Sequence, residues 1–280
     1  MSAILWTDYG VGEHRTPCPE CGRGARDKTL GVTIVADGSG VAHCFRCGLV
    51  ERYRPEHGSR EARPAKPLIK GKRTSGASDT LTNVGRELWD ACGALSGVAV
   101  AYLEARCCRI PPSEGDLRFH PALKHPTGHV GPALVALVTH AVTGKPMTLH
   151  RTWVRPDGRK ADVEPPRLLL GGHRKQGGVI RLWPDECVTY GLAVAEGVET
   201  ALSLAWGFTP VWACIDAGNL AAFPSLFGIE SLVIACDNDA AGRAASRACA
   251  VRWADAGAQT CVTRQTANDL NDVLTGVTKC

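Results

Sequence analysis

Two stretches about forty residues apart share one design, and that repetition restricts the fold more than any other feature of the chain. The first runs Leu192-Ala193-Val194-Ala195-Glu196-Gly197-Val198-Glu199-Thr200-Ala201-Leu202-Ser203, the second Leu232-Val233-Ile234-Ala235-Cys236-Asp237-Asn238-Asp239-Ala240-Ala241-Gly242. Each opens with a short apolar run that reads as a buried strand. Each run ends in acid, then turns through glycine into an alanine-rich helical pattern. In an open α/β sheet, ligands bind at the carboxyl ends of the strands. The two stretches therefore predict Glu196, Asp237 and Asp239 at one edge of one sheet. Asp237 and Asp239 are two apart and face the same way in extended chain. Three carboxylates meeting there repel one another unless a divalent cation sits between them. An acid at a strand end also serves simply to cap the next helix; two such ends, ordered and spaced alike, favour a metal site.

The N-terminal fifth carries Cys18-Pro19-Glu20-Cys21 and Cys44-Phe45-Arg46-Cys47, a C-x2-C pair separated by 22 residues. A two-residue gap lets a tight turn aim two thiolates at one ion, and two such knuckles supply the four tetrahedral ligands of structural zinc. Between them, 31–36 and 40–43 read as a hairpin turned at Asp37-Gly38-Ser39-Gly40. His43, beside a ligand, competes for the fourth place, but symmetry favours Cys44. The expectation is a zinc ribbon whose closed Cys18, Cys21, Cys44, Cys47 site is structural. Arg23, Arg26, Lys28 and Arg46 are its candidate phosphate contacts. The thirteen cysteines are odd in number and mostly scattered through apolar segments. That suits reduced thiols in a cytoplasm, and no apolar run approaches membrane-spanning length.

Between these ends, 52–80 is expected to be a basic flexible linker, its bases, prolines and glycines lacking apolar periodicity. Gly71-Lys72-Arg73-Thr74 lacks the earlier glycine and preceding strand of a phosphate loop, and no other Walker-type sequence occurs. Residues 81–110 are helical in pattern, with Leu88, Trp89, Cys92 and Leu95 on one face. Strands follow at 117–120, 133–138 and 147–154. The histidines His120, His125, His129 and His150 lack ligand spacing and are read as non-metal. Further on, 211–215 is a strand ending near Asp216 and Asn219. Helix 241–256 places small residues at 241, 244, 245 and 248 for close sheet packing, with Arg243 and Arg247 on another face. The net charge of +4 divides unevenly: from Pro184 onward, eleven acids stand against five bases, leaving −6 there and +10 before it. A basic body joined to an acidic, metal-type region suits a polyanionic substrate handled with divalent cations.

The Glu-Gly and Asp-x-Asp motifs resemble the Toprim domain of phage- and plasmid-type DNA primases, and Asp269-Leu270-Asn271-Asp272 resembles that branch's downstream motif. So do His150–Thr152, the turn Asp157–Ala161 and the glycine-rich loop Gly177–Leu182, which resemble the subdomain preceding Toprim in those enzymes. The resemblance implies an α/β fold in four parts: zinc ribbon (1–51), basic linker (52–80), a small α+β subdomain (81–185) and a Rossmann-like parallel-sheet Toprim domain (186–280). It implies primer synthesis on single-stranded DNA from nucleoside triphosphates, beside a separate replicative helicase, in the cytoplasm of a bacterial or phage-infected cell. Glu196, Asp237 and Asp239 would bind catalytic Mg²⁺ or Mn²⁺. Arg151, Lys160 and Arg181 would hold nucleotide or template phosphates, and Glu199, Asp216, Asn219, Asp269 and Asp272 are candidates for the outer shell. A Toprim metal-dependent nuclease and a non-catalytic zinc-ribbon DNA-binding adaptor are the rival readings.

Overall fold

The computed structural model describes residues 4–22, 24, 27–36, 38–44, 47, 49–53 and 77–276. The chain forms two compact units, 1–71 and 72–280. The expected linker lies mostly outside the described residues, as do Arg23, Arg26 and Arg46; Lys28 is exposed.

The first unit is a four-stranded antiparallel meander: β1 (Gly12–Thr16), β2 (Leu30–Ile34), β3 (Gly40–Cys44) and β4 (Val50–Tyr53). β2 and β3 are the hairpin expected from sequence, paired from Leu30 with Cys44 to Ile34 with Gly40. Alternation sends Leu30, Val32 and Ile34 inward against Trp6, Ala42, Cys18 and Cys44. So small a core is weak alone, and a metal clip offsets the deficit.

The second unit begins with α1 (Asn83–Asp90), capped by the Thr82 hydroxyl accepting from Gly85 N at 3.4 Å, and α2 (Val98–Ala105). An antiparallel sheet follows: β5 (Leu117–Lys124), β6 (Val130–His140), β7 (Pro146–Trp153) and β8 (Arg167–Leu169), with β9 (Gly178–Val179) on the end of β6. The chain then alternates strand and helix: β10 (Gly191–Ala195), α3 (Val198–Leu204), β11 (Val211–Ala213), α4 (Ala217–Ala222), β12 (Ser231–Ile234), α5 (Ala240–Asp255), β13 (Gln259–Val262) and α6 (Leu270–Thr275). These four strands are all parallel in the order β11-β10-β12-β13. The order reverses between β10 and β12, which opens a crevice at their carboxyl ends.

Both faces of this sheet are covered, as parallel sheets require. Ala193 and Ala195 face α3 and share a core with Leu134, Ala136 and Val138 of β6, so the antiparallel and parallel sheets are joined by common packing. Leu192, Val194 and Ile234 face the other way, onto Ala245, Cys249 and Trp253 of α5. Each fully buried side chain of this size contributes about 1.5–3 kcal/mol. Ile180 and Ala213 exchange backbone bonds of 2.8 and 2.9 Å, so the segment before the parallel sheet pairs with its edge strand β11.

The phase of α5 differs from the sequence expectation. Its buried face is Gly242, Ala245, Ser246, Cys249 and Trp253, whereas Ala241, Ala244 and Ala248 are exposed. Alanine fits either side of a helix, so the large Trp253 and Cys249 set the rotation.

Candidate functional site

The crevice predicted by the strand order is present. A cleft of about 480 Å³ lies at the carboxyl ends of β10 and β12, lined by the acids Glu196, Glu199, Asp216, Asp237 and Asp269 and by the bases Arg106, Lys160, Arg167 and Lys175. Glu196 directly follows β10 and Asp237 lies three residues beyond β12. Strand pairing alone brings together acids forty residues apart in sequence.

The acids divide by what else they do. Asp239, expected as a metal ligand but not among the residues lining the cleft, caps α5, accepting from Gly242 N at 2.7 Å; Asp216 caps α4, accepting from Asn219 N at 2.8 Å; Asp269 caps α6, accepting from Asp272 N at 2.8 Å. Neither Glu196 nor Asp237 is an N-cap: that of α3 is Gly197, with no side-chain cap bond, although the Ala217 N–H at the start of α4 also acts on Glu196. Asp237 Oδ1 is buried without a hydrogen-bond partner. Burial first, then the charges of Glu196, Asp269 and Asp239, push the Asp237 carboxyl up to about 7. Glu196 is likewise raised, by burial and by Asp239 and Asp216. Two acids held where their charge is costly are a site that fits a divalent cation. Among the described residues, only the four cysteines bring three or more ligand atoms within 4.8 Å of one another. The acids thus share the cleft without closing on one point, an arrangement suited to Mg²⁺, which takes one or two carboxylates and keeps waters or phosphate oxygens for the rest.

Gly242 fixes how closely α5 approaches. A Cβ there would lie 2.6 Å from Asp237 O and 2.8 Å from its Cβ, so only glycine lets the helix start against the Asp237 loop.

Glu199 is a different kind of acid. Tyr102 donates its hydroxyl at 2.8 Å and Lys160 Nζ lies 3.3 Å away, both on Oε1. Burial pushes this carboxyl up, but Lys160, Arg167 and Tyr102 outweigh it and hold it at about 2. A permanent buried charge there anchors the Lys160 ammonium in the cleft. Of the bases expected from sequence, Lys160 alone lines it. Arg151 is nine-tenths buried in β7, donates to Leu169 O at 3.0 Å and lies 5.5 Å from the Trp153 ring. Arg181 bonds Asp185 at 2.6 Å, Ala141 O at 3.0 Å and the Thr139 hydroxyl, with its guanidinium 4.5 Å over Trp212. Both arginines are spent in packing rather than brought to the acids. Asn219 is also structural, donating to Lys175 O at 2.9 Å and accepting from Gly177 N at 3.1 Å. Asp272 does not line the cleft.

Several cleft residues carried no role in the sequence reading. His150 faces in because alternation along β7 turns Leu149 and Trp153 to the opposite core; burial holds its imidazole down at about 4, so it is neutral at pH 7. That alternation was available from sequence. Arg167, on the three-residue β8 after Pro165-Pro166, shows no strand pattern; it is exposed, and its charge acts on Glu196, Glu199 and Asp237. Lys175 pairs with Asp216 at 2.7 Å. Asn271 is fully buried and donates to Arg106 O at 2.6 Å and the Ser203 hydroxyl at 2.9 Å, which pins α6 and so places Asp269.

In the first unit, Cys18 and Cys47 sulfurs are 3.6 Å apart and those of Cys21 and Cys44 are 3.5 Å apart. A tetrahedron with Zn–S bonds of about 2.3 Å has edges of about 3.8 Å, so the four sulfurs fit zinc. Gly22 closes the first knuckle, its N–H donating to Cys18 O at 2.8 Å.

Residues 191–278 match the Toprim domain family, and residues 80–182 match a domain of unknown function (DUF7146). No curated protein matches the chain. Among solved structures, the chain is similar to the primase fragment of the bacteriophage T7 primase-helicase protein, at 19% identity over 95% of this chain and 96% of that one, with a TM-score of 0.43. It is also similar to the zinc-binding and RNA polymerase domains of the Aquifex aeolicus primase, at 13% identity over 98% of this chain and 80% of that one, with a TM-score of 0.46. A third similarity is to a chain of the bacteriophage T7 lagging-strand DNA polymerase assembly with primase domains bound to an RNA/DNA hybrid and dTTP, at 19% identity, covering 52% of this chain and 72% of that one, with a TM-score of 0.34.

Proposed function

From a chain whose residues 191–278 form a Toprim domain, we propose a DNA primase that makes short RNA primers on single-stranded DNA. One observation carries the reading: Glu196 and Asp237, two carboxyls raised by burial and by neighbouring acids, share a cleft with Lys160, Arg167 and Lys175. Acids that fit divalent cations, in one cleft with bases, are what a nucleoside triphosphate asks of a protein. The four-cysteine ribbon and the motifs at His150–Thr152 and Asp157–Ala161 support primase over a bare Toprim nuclease.

Glu196 and Asp237, with the free lone pairs of Asp239, would hold Mg²⁺ or Mn²⁺. When bound, such ions neutralise charge developing on the transferred phosphate. Lys160, fixed by Glu199, would meet the triphosphate as a point charge. Arg167, exposed on β8, would grip it with a planar fork. Glu196, raised from its ordinary value by burial and its neighbours, would either ligate an ion or draw the proton from the attacking 3′-hydroxyl. Glu199, held ionised by its neighbours, stays a fixed charge. The template is single-stranded DNA, a separate replicative helicase is the proposed partner, and the ribbon's zinc is structural. Among the described residues, no helix is long and apolar enough to cross a membrane.

The test is primer synthesis on single-stranded DNA with labelled ribonucleotides and Mg²⁺ or Mn²⁺, with the Asp237→Ala protein alongside. Labelled oligonucleotides from the parent alone support the reading. Metal-dependent shortening of the DNA without synthesis would move the chain to a nuclease, and DNA binding with neither reaction would leave an adaptor.

A further inference from the structure

A second cavity, of about 580 Å³, lies between α5 and the carboxyl end of β13, the outer strand of the parallel sheet. Three arginines stand round it: Arg243 and Arg247, one helical turn apart on α5, and Arg264 just beyond β13. From Pro184 onward the chain has only five bases, in a region carrying −6. Three of those five converge here, and no acidic side chain is among the described residues that line the cavity. Chance scatter of so few bases over an acidic surface does not gather them round one hollow.

Two of the three arginines are also unspent. Arg243 Nη1 donates to Asn238 Oδ1 at 2.9 Å. Arg247 and Arg264 are exposed and make no ion pair or side-chain hydrogen bond among the described residues. Ala250, Val251 and Val262 add apolar surface to the wall. Ser246 opens onto the cavity, is 1% exposed, and its hydroxyl has no hydrogen-bond partner. A buried hydroxyl left unpaired costs free energy that a bound polar group recovers. The volume lies within the range of small-molecule sites, where an apolar wall and a few convergent polar groups fix the ligand. Arginine forks favour phosphate over a simple carboxylate load, since each engages two oxygens.

We infer that this cavity is a nucleoside polyphosphate site, with the phosphates on Arg247 and Arg264, the base against Ala250, Val251 and Val262, and a ribose or base polar group on Ser246. No acid is among the described residues that line it, so it requires no protein-held divalent cation, unlike the cleft at Glu196 and Asp237. The inference does not depend on what reaction that cleft performs.

The experiment titrates the full, zinc-loaded chain with N-methylanthraniloyl-ATP in buffer without added Mg²⁺ or Mn²⁺. Saturable binding is expected, displaced by ATP. Loss of two charge-assisted forks in Arg247→Ala/Arg264→Ala should weaken it about tenfold or more. Arg247→Lys/Arg264→Lys should recover part of that loss, which a merely unfolded variant would not. Lys160→Ala, at a residue that lines the cleft and not this cavity, should leave it within about twofold. Absence of saturable binding overturns the inference, as does loss in Lys160→Ala with retention in the arginine variant. Displacement by a single-stranded oligonucleotide but not by ATP overturns it in favour of a track for the DNA backbone, and displacement by tripolyphosphate as strong as by ATP removes the role given to the base.

Discussion

In the absence of divalent cation, Asp237 should make the protein less stable as pH rises. Its carboxyl moves from an ordinary 3.8 to about 7, first through burial and then through Glu196, Asp269 and Asp239. A raised carboxyl keeps its proton in the fold after the unfolded chain has released it. Below about pH 4 both states are protonated and the group costs nothing. Between about 4 and 7 stability falls with rising pH, and above about 7 the full cost of the buried charge is felt. The whole displacement corresponds to about 4 kcal/mol; Asp237 is half-buried, so screening brings this to about 2 kcal/mol. Asp237→Asn keeps the shape and removes the charge. At pH 8 it should be more stable than the parent by about 2 kcal/mol, about 4–8 °C in Tm for a unit of this size. At pH 4 the two should coincide. Millimolar Mg²⁺ should raise the Tm of the parent at pH 8 by mass action and leave the variant nearly unmoved. Thermal unfolding by circular dichroism at pH 4 to 8, with and without Mg²⁺, measures all four quantities. A variant no more stable than the parent at pH 8, or an equal response to Mg²⁺ in both, would refute the assignment of Asp237 as the strained cation ligand.

Gly242→Ala should cost about 1–3 kcal/mol, because its methyl meets Asp237 backbone rather than a flexible side-chain end; helix content should persist while the Mg²⁺-induced rise in Tm is lost. Arg181→Ala should lower stability by about 2–3 kcal/mol in urea unfolding by stranding the buried Thr139 hydroxyl and Ala141 carbonyl, and Arg181→Lys should fail to restore it, since an ammonium cannot cover three acceptors and Trp212 together. Cys44→Ser removes one of four converging sulfurs, and metal analysis should then find zinc lost from the chain, with unfolding confined to the ribbon.

The local elements were legible because each is written in a short window. Alternation gave the ribbon hairpin and the strands β6 and β7, and apolar runs ending in acid gave β10 and β12. The knuckle spacing placed Cys18, Cys21, Cys44 and Cys47 together, and the structure brings their sulfurs within zinc distance. Arg151 and Arg181 drew attention as bases inside motif-like segments, yet a motif does not tell which side of a strand faces a cleft. Strand period turned His150 inward and Arg151 to the packed face.

What the sequence determines by itself, then, is which chemistry is available: four thiols at knuckle spacing, acids at strand ends, and a chain of two charge signs. Tertiary structure alone decided which of those groups remain free. Asp216, Asp239 and Asp269 are each the N-cap of a helix, while Glu196 and Asp237 are not, and capping depends on how each strand enters its helix. It also brought Arg167 and Lys175 to the cleft from loops and a short strand without periodic signal. The free energy of a charge depends on its neighbours and its burial, and both are set by packing between residues far apart in the chain.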